Sequence, residues 1–334
     1  MVVAVSWDPA VTVSEPTSAA PGSEPFVAEA EVLGRTLPPT VRSALLRMVD
    51  SPPREGAILV RGVPVGDLPP TPASPTEPTA KDHVSELVLT AVARTLGEPV
   101  GYRPEHGGDL VQNLVPTVAG ADRQVSTSSR VDLAFHTETA FHPHAPRFLV
   151  LLCLRGHPDA RTTLCSVHDL IDALDGDTIS VLRQARFVCG VDESFLDDAR
   201  TALASTERRS GPGSGSVSEA STGPLGPRGP FPVIGGTADR PTLWYDADLM
   251  RGTDPAAQAA LDRLDRAVAD HHRSVVLEAG DCLVVDNTAA VHGRSSYQAR
   301  FDGTDRWLQR AFVVTDLDQS AADRDGRIIQ TLFA

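Results

Sequence analysis

The chain has 334 residues, 41% of them hydrophobic, 22% charged and only 5% aromatic, enough to bury a sizeable core as one large or two small globular units. With 44 acidic against 30 basic side chains the net charge is −14, which repels a phosphate backbone and argues against nucleic acid as a partner. The longest apolar run, residues 148–154, is far short of the roughly 20 residues a bilayer span needs. Asp8 and Glu15 stand where a secretory leader is basic, so no membrane partner is expected and the protein is read as cytoplasmic.

Residues 1–28 are rich in Pro, Ser, Glu and Ala without a sustained period and read as a disordered tail, leaving 29–334 as a single domain. Val41, Leu45 and Met48 then recur at helical spacing, and residues 57–60 form a β-branched-rich strand. A Pro- and Thr-rich connector over 68–79 leads to Asp82, the expected N-cap of a helix whose stripe of Val84, Leu87, Val88, Ala91 and Leu96 ends at Gly97. Beyond Gly101 the pattern changes to short apolar or alternating runs at 109–115, 131–141, 148–154, 161–167, 185–191, 232–235, 243–246, 274–285 and 306–314. That spacing predicts a mainly β fold, a sandwich or cupin-like jelly roll, with flanking helices at 169–183 and after the Asp254-Pro255 cap. Residues 196–230 are poor in core formers around a Gly/Ser-rich stretch and read as a flexible lid or linker. Cys153, Cys165, Cys189 and Cys282 lie in or beside apolar runs without CxxC spacing, so buried free thiols are expected.

Chemistry concentrates in the window from Phe135 to His142. On a strand, residues two apart share a face, so His136 and Glu138 are expected to point together into the barrel. His292, after the apolar run ending at Asp286, offers a third donor. Two imidazoles and one carboxylate form the facial triad of non-haem Fe(II) oxygenases, with open positions for a keto acid and dioxygen. His142 and His144 make a rival set, but Pro143 and Pro146 argue that the strand has ended there; His271 and His272 close a helix and read as solvated. On the run 306–314, Arg306, Leu308, Arg310 and Phe312 share one face, so two guanidinium groups face the core and need anions: one the distal carboxylate of 2-oxoglutarate, the other that of a second substrate. A barrel that binds a metal or small anion without turnover would use the same His and Glu and leave both arginines without a paired role.

The His136-Thr-Glu-x-Ala-Phe-His142 window, the Val285-Asp286-Asn287 to His292 element and the Arg306-Trp-Leu-x-Arg310 ending together resemble the clavaminate synthase-like Fe(II)/2-oxoglutarate oxygenases, which include asparagine, arginine and lysine hydroxylases. The likeness runs from about Leu33 to Thr315. It implies a double-stranded β-helix core with Fe(II) held by His136, Glu138 and His292, and 2-oxoglutarate and O2 as cosubstrates. It also implies that Arg306 binds the distal carboxylate of 2-oxoglutarate and Arg310 the substrate carboxylate. Ser126, and Thr163 through a one-residue gap, match hydroxyls that hold 2-oxoglutarate. Because the carboxylate of Glu138 is present, the resemblance favours hydroxylation of an unactivated C–H over halogenation; desaturation or ring closure stays open. Asp246 and Asp248, if extended, point to one side and can take a cationic side chain bidentately. In the arginine hydroxylases an Asp-x-Asp there contacts the substrate side chain, as does the element resembled by Asp192-x-Ser194. Gln112 is expected to reach the amino group. The expected substrate is a small basic L-amino acid, arginine or an analogue, in specialised metabolism.

Overall fold

The computed structural model describes residues 2–17, 20–196 and 225–333. Its larger sheet runs β1 (Val3–Ser6), β2 (Ala57–Arg61), β14 (Cys282–Asp286), β6 (Phe148–Arg155), β16 (Trp307–Val314), β3 (Glu98–Tyr102), β18 (Ile328–Ile329) and β17 (Arg324–Asp325), with β4 (Gln112–Leu114) also pairing with β16. A smaller sheet runs β13 (Arg273–Val276), β7 (Arg161–Ser166), β15 (Ala290–Arg294) and β5 (Leu133–His136). Two minor ribbons complete the β structure: β12 (Met250–Gly252), β8 (Phe187–Cys189) and β9 (Arg228–Phe231); and β10 (Ile234–Gly236) with β11 (Pro241–Leu243).

Alternation along β6 shows why the larger sheet is covered on both faces. Phe148, Val150, Leu152 and Leu154 point to one side, with Val284, Trp307 and Val313. Leu149, Leu151 and Cys153 point to the other, with Val285, Leu308 and Phe312, and there they meet Leu164 and Ala290 of the smaller sheet. Each fully buried Leu or Val of this kind contributes about 1.5–3 kcal/mol. The first face is closed by helices α1 (Glu24–Arg35), α2 (Pro39–Asp50) and α3 (Val84–Leu96). Val88, Leu89 and Val92 of α3 join the sheet while Leu87 and Ala91 pack on Phe26 and Ala30 of α1, so α3 is buried on both sides.

Within the first 28 residues, expected from composition as a disordered tail, the described ones include two ordered elements. Val3–Ser6 adds to the sheet as a parallel edge strand beside β2, Trp7 is buried with the helix layer, and α1 starts at Glu24 behind the cap Ser23. Four strand residues, one buried indole and a capped turn supply the contacts that a count of Pro and Ser cannot reveal. Asp82 stands one place before the cap of α3: His83 occupies that position with φ 57, and Asp82 Oδ1 accepts from the N–H of Val84 at 3.1 Å. The helix expected at 169–183 is two, α4 (Val167–Ala173) and α5 (Gly176–Leu182), because Asp175 breaks the chain and caps the second. Asp254 caps α6 (Pro255–His271), as expected, by accepting from the N–H groups of Ala256 and Ala257. All four cysteines are free and buried. Of the stretch read as a lid or linker, residues 197–224 lie outside the described residues; Leu225 bridges to Phe333 and Arg228–Phe231 forms β9. Among the described residues no helix is long and apolar enough to cross a membrane.

Candidate metal centre and substrate cavity

His136 closes β5 and is the direct cross-strand partner of His292 on β15, which puts the two imidazole centroids 4.3 Å apart. Gly293 permits this approach: a Cβ there would stand 2.6 Å from the carbonyl oxygen of Leu133 across the strand pair. Glu138 is not on the strand with His136, contrary to the two-residue pleat argument. β5 ends at His136 and the chain turns; Asn287, fully buried, accepts from the N–H of Glu138 at 2.7 Å and donates to the carbonyls of Glu138 (3.1 Å) and Pro146 (2.9 Å). Bent in this way, Glu138 brings Oε2 to 3.9 Å from His136 Nε2 and 3.5 Å from His292 Nε2.

These donor atoms all lie within 4.8 Å of one another, and no other such group occurs among the described residues. Nδ1 of His136 lies 2.8 Å from the carbonyl oxygen of Ala134, an acceptor only, so Nδ1 carries a proton and Nε2 is the ring atom turned toward Glu138. Burial, followed by the neighbouring His136, lowers His292 to about 4, leaving its imidazole neutral near pH 7. Burial raises Glu138, but Arg310 and the hydrogen bond from His292 outweigh it and hold the carboxyl well below its ordinary value. Two imidazoles and one ionised carboxylate on one cavity fit a borderline divalent ion. The rival histidines serve packing instead: His142 Nδ1 accepts from the N–H of His144 at 2.9 Å, and His144 Nε2 meets Asp323 at 2.7 Å.

The triad faces a cavity of about 460 Å³. Arg294, register partner of Thr162, lines it together with Arg306, Ser126 and Thr162 itself. Asp246, which bridges to His136 at the edge of β5, lines it too, with Asp248, Asp192 and Ser194. Arg306, only 7% exposed, has no ion pair or hydrogen bond among the described residues. It immediately precedes β16 and lines the cavity together with Leu308 and Arg310 of that strand, although the register shifts between Trp307 and Leu308.

Several expected contacts are arranged differently. Thr163 lies on the face of β7 away from the cavity, beside Gly293; Thr162 faces inward, and its buried Oγ1 has no partner among the described residues. The one-residue gap therefore resolves the other way, since alternation places only every second hydroxyl on a given face. Gln112 does not line the cavity: its Oε1 accepts from Arg310 Nε at 3.0 Å, which orients the guanidinium in place of meeting a substrate amino group. Arg310 also reaches Glu105 (2.9 Å) and Glu138 (3.3 Å). Asp246 and Asp248 are not extended, because Asp246 Oδ1 accepts from the N–H groups of Asp248 (2.9 Å) and Leu249 (2.8 Å) and closes a turn. Ser194 likewise donates to Asp192 Oδ1 at 2.6 Å. Glu105, Thr162 and Arg294 were not foreseen as site residues. Glu105 sits in the loop after β3, where no periodicity operates, and burial pushes it up to about 7 against the pull of Arg310.

The chain is 36% identical over 312 residues to the L-lysine 3-hydroxylase of Catenulispora acidiphila, an alignment covering 92% of this chain and 82% of that protein. Its fold matches asparagine oxygenase solved with Fe(II), 2S,3S-3-hydroxyasparagine and succinate, at a TM-score of 0.81 and 31% identity over 96% of this chain and 93% of the other. It also matches the non-heme iron oxygenase OrfP solved with Fe, succinate and (3S)-hydroxy-L-Arg, at a TM-score of 0.82 and 28% identity over 98% and 99% of the two chains. The family described as taurine catabolism dioxygenase TauD, TfdA family, matches residues 21–312, and the chain belongs to that family.

Proposed function

We propose that the protein is an Fe(II)/2-oxoglutarate-dependent oxygenase that hydroxylates an unactivated C–H bond of a basic L-amino acid in specialised metabolism, on a double-stranded β-helix core. The observation that carries the reading is the His136–Glu138–His292 triad on one cavity whose lining includes both cationic groups, Arg294 and Arg306, and carboxylates, Asp192, Asp246 and Asp248. The two facing sheets, and the complexes that the neighbours form with iron and succinate, support it. Four cysteines kept as free thiols support a reducing, cytoplasmic setting.

His136, Glu138 and His292 would hold the metal, which supplies the redox chemistry coupling decarboxylation of 2-oxoglutarate to succinate and CO2 with transfer of one oxygen atom to the substrate. The protein's part is placement. Arg306, desolvated and without a counter-ion among the described residues, takes the distal carboxylate of the cosubstrate, and Thr162 and Ser126 offer hydroxyls beside it. Arg310, held by Gln112, receives the substrate carboxylate, while Asp246 and Asp248 meet the cationic end. Fixing both ends of a flexible chain selects which carbon stands at the metal. Incubation with Fe(II), 2-oxoglutarate and each of arginine, lysine, ornithine and neutral amino acids, reading succinate and product mass, tests this. Succinate matched by a product gaining one oxygen atom, largest for a basic amino acid, is expected; no product and no succinate from any L-amino acid would refute it.

A further inference from the structure

One group in the cavity has no role in the mechanism above. Arg294 follows His292 by one pleat on β15, so its side chain enters the same cavity as the metal triad; it is 5% exposed. Its cross-strand neighbour is Thr162, whose buried hydroxyl lacks a partner among the described residues. Arg306 lines the same cavity from the facing sheet. Neither guanidinium has a carboxylate within ion-pair distance among the described residues.

Two buried like charges without counter-ions, beside an unpaired hydroxyl, form an arrangement that only an anion relieves. Arg294 is held for that task by other contacts. Its guanidinium stacks on Tyr297 at 5.0 Å and donates to the hydroxyl of Ser128 at 2.6 Å, which leaves further N–H groups free to turn to the cavity.

We propose that Arg294 is a second cosubstrate-binding arginine, which with Arg306 and Thr162 clamps the distal carboxylate of 2-oxoglutarate and makes the pocket discriminate by charge against keto acids of equal length that end in a methyl group. The proposal rests on the cosubstrate assigned under the preceding heading. A bracing role alone, pinning the Ser128 loop to β15, predicts equal losses for charged and neutral keto acids.

The test is equilibrium binding by calorimetry to full-length protein loaded with Mn(II), using 2-oxoglutarate and 2-oxopentanoate as ligands and Arg294→Gln and Arg294→Lys as variants. Arg294→Gln should weaken 2-oxoglutarate about 10-fold or more, the scale of one lost charge-assisted hydrogen bond, and leave 2-oxopentanoate unchanged. Arg294→Lys, which keeps the charge, should recover most of the loss and also shows whether a poorly folded Gln variant is to blame. Equal weakening of both ligands, or no weakening of either, would overturn the role of Arg294 while the cosubstrate reading stands. A wild type that binds no 2-oxoglutarate overturns both.

Discussion

At the scale of single residues, the pairing of a donor set with a protonation state decides what the site can hold. Glu138 is the only carboxylate in the triad, so Glu138→Ala should abolish Mn(II) binding, measured by electron paramagnetic resonance, together with hydroxylation; undiminished product from His136→Ala would refute the triad. Thr162 and Thr163 allow a sharper comparison, because they differ by one position and face opposite sides of β7. Thr162→Val keeps the shape and removes the unpaired hydroxyl, so the KM for 2-oxoglutarate should rise about 5-fold, equivalent to the ~1 kcal/mol of a typical hydrogen bond. Thr163→Val should leave that KM unchanged, and the reverse order would restore the hydroxyl assigned from the family likeness.

The elements show how a site can be legible in sequence while its geometry is not. Side-chain alternation fixes the inward faces of β6 and β16, and this is why the shared face of Leu308, Arg310 and Phe312 could be read directly. The same rule fails for Glu138, since β5 stops at His136 and the carboxylate is aimed by Asn287, a residue about 150 positions away whose role no local pattern announces. Strand edges behave similarly: Val3–Ser6 is too short to alternate visibly and exists only because β2 offers an edge. Capping chemistry was legible where the residue type is specific, at Asp254 and Gly97, and misplaced by one where His83 takes a left-handed cap. If Asn287 sets the turn, Asn287→Ala leaves the Glu138 N–H and the Glu138 and Pro146 carbonyls without their partner, at a cost of ~1–3 kcal/mol for each group that stays buried. Thermal melting should then fall by several degrees and Mn(II) affinity should weaken, although Asn287 is not itself a metal-binding residue. Unchanged metal affinity would show that β5 and β15 hold Glu138 without it.

Charge across the whole molecule bears on which substrate enters. The net charge of −14 attracts cations at long range, and the cavity repeats that sign locally at Asp192, Asp246 and Asp248. Asp246 is costly to ionise, for burial raises its pKa although His136 and two backbone N–H groups pull the other way. A cationic side chain placed against it would favour the ionised form and so gain from a charge that the free protein holds at a cost. The turn closed by Asp246 Oδ1 leaves Oδ2 and the exposed Asp248 to meet the ligand, a two-carboxylate arrangement suited to a guanidinium or ammonium group. Asp248→Asn alone should weaken arginine modestly, since an exposed ion pair is worth roughly 0–1 kcal/mol. The double variant Asp246→Asn with Asp248→Asn should weaken arginine far more than citrulline, its neutral isostere, in competition binding to the Mn(II)–2-oxoglutarate form. Equal losses for the two ligands would mean that these carboxylates shape the wall without reading charge, and a wild type that turns over only neutral amino acids would place the basic-substrate assignment in error while leaving the metal site intact.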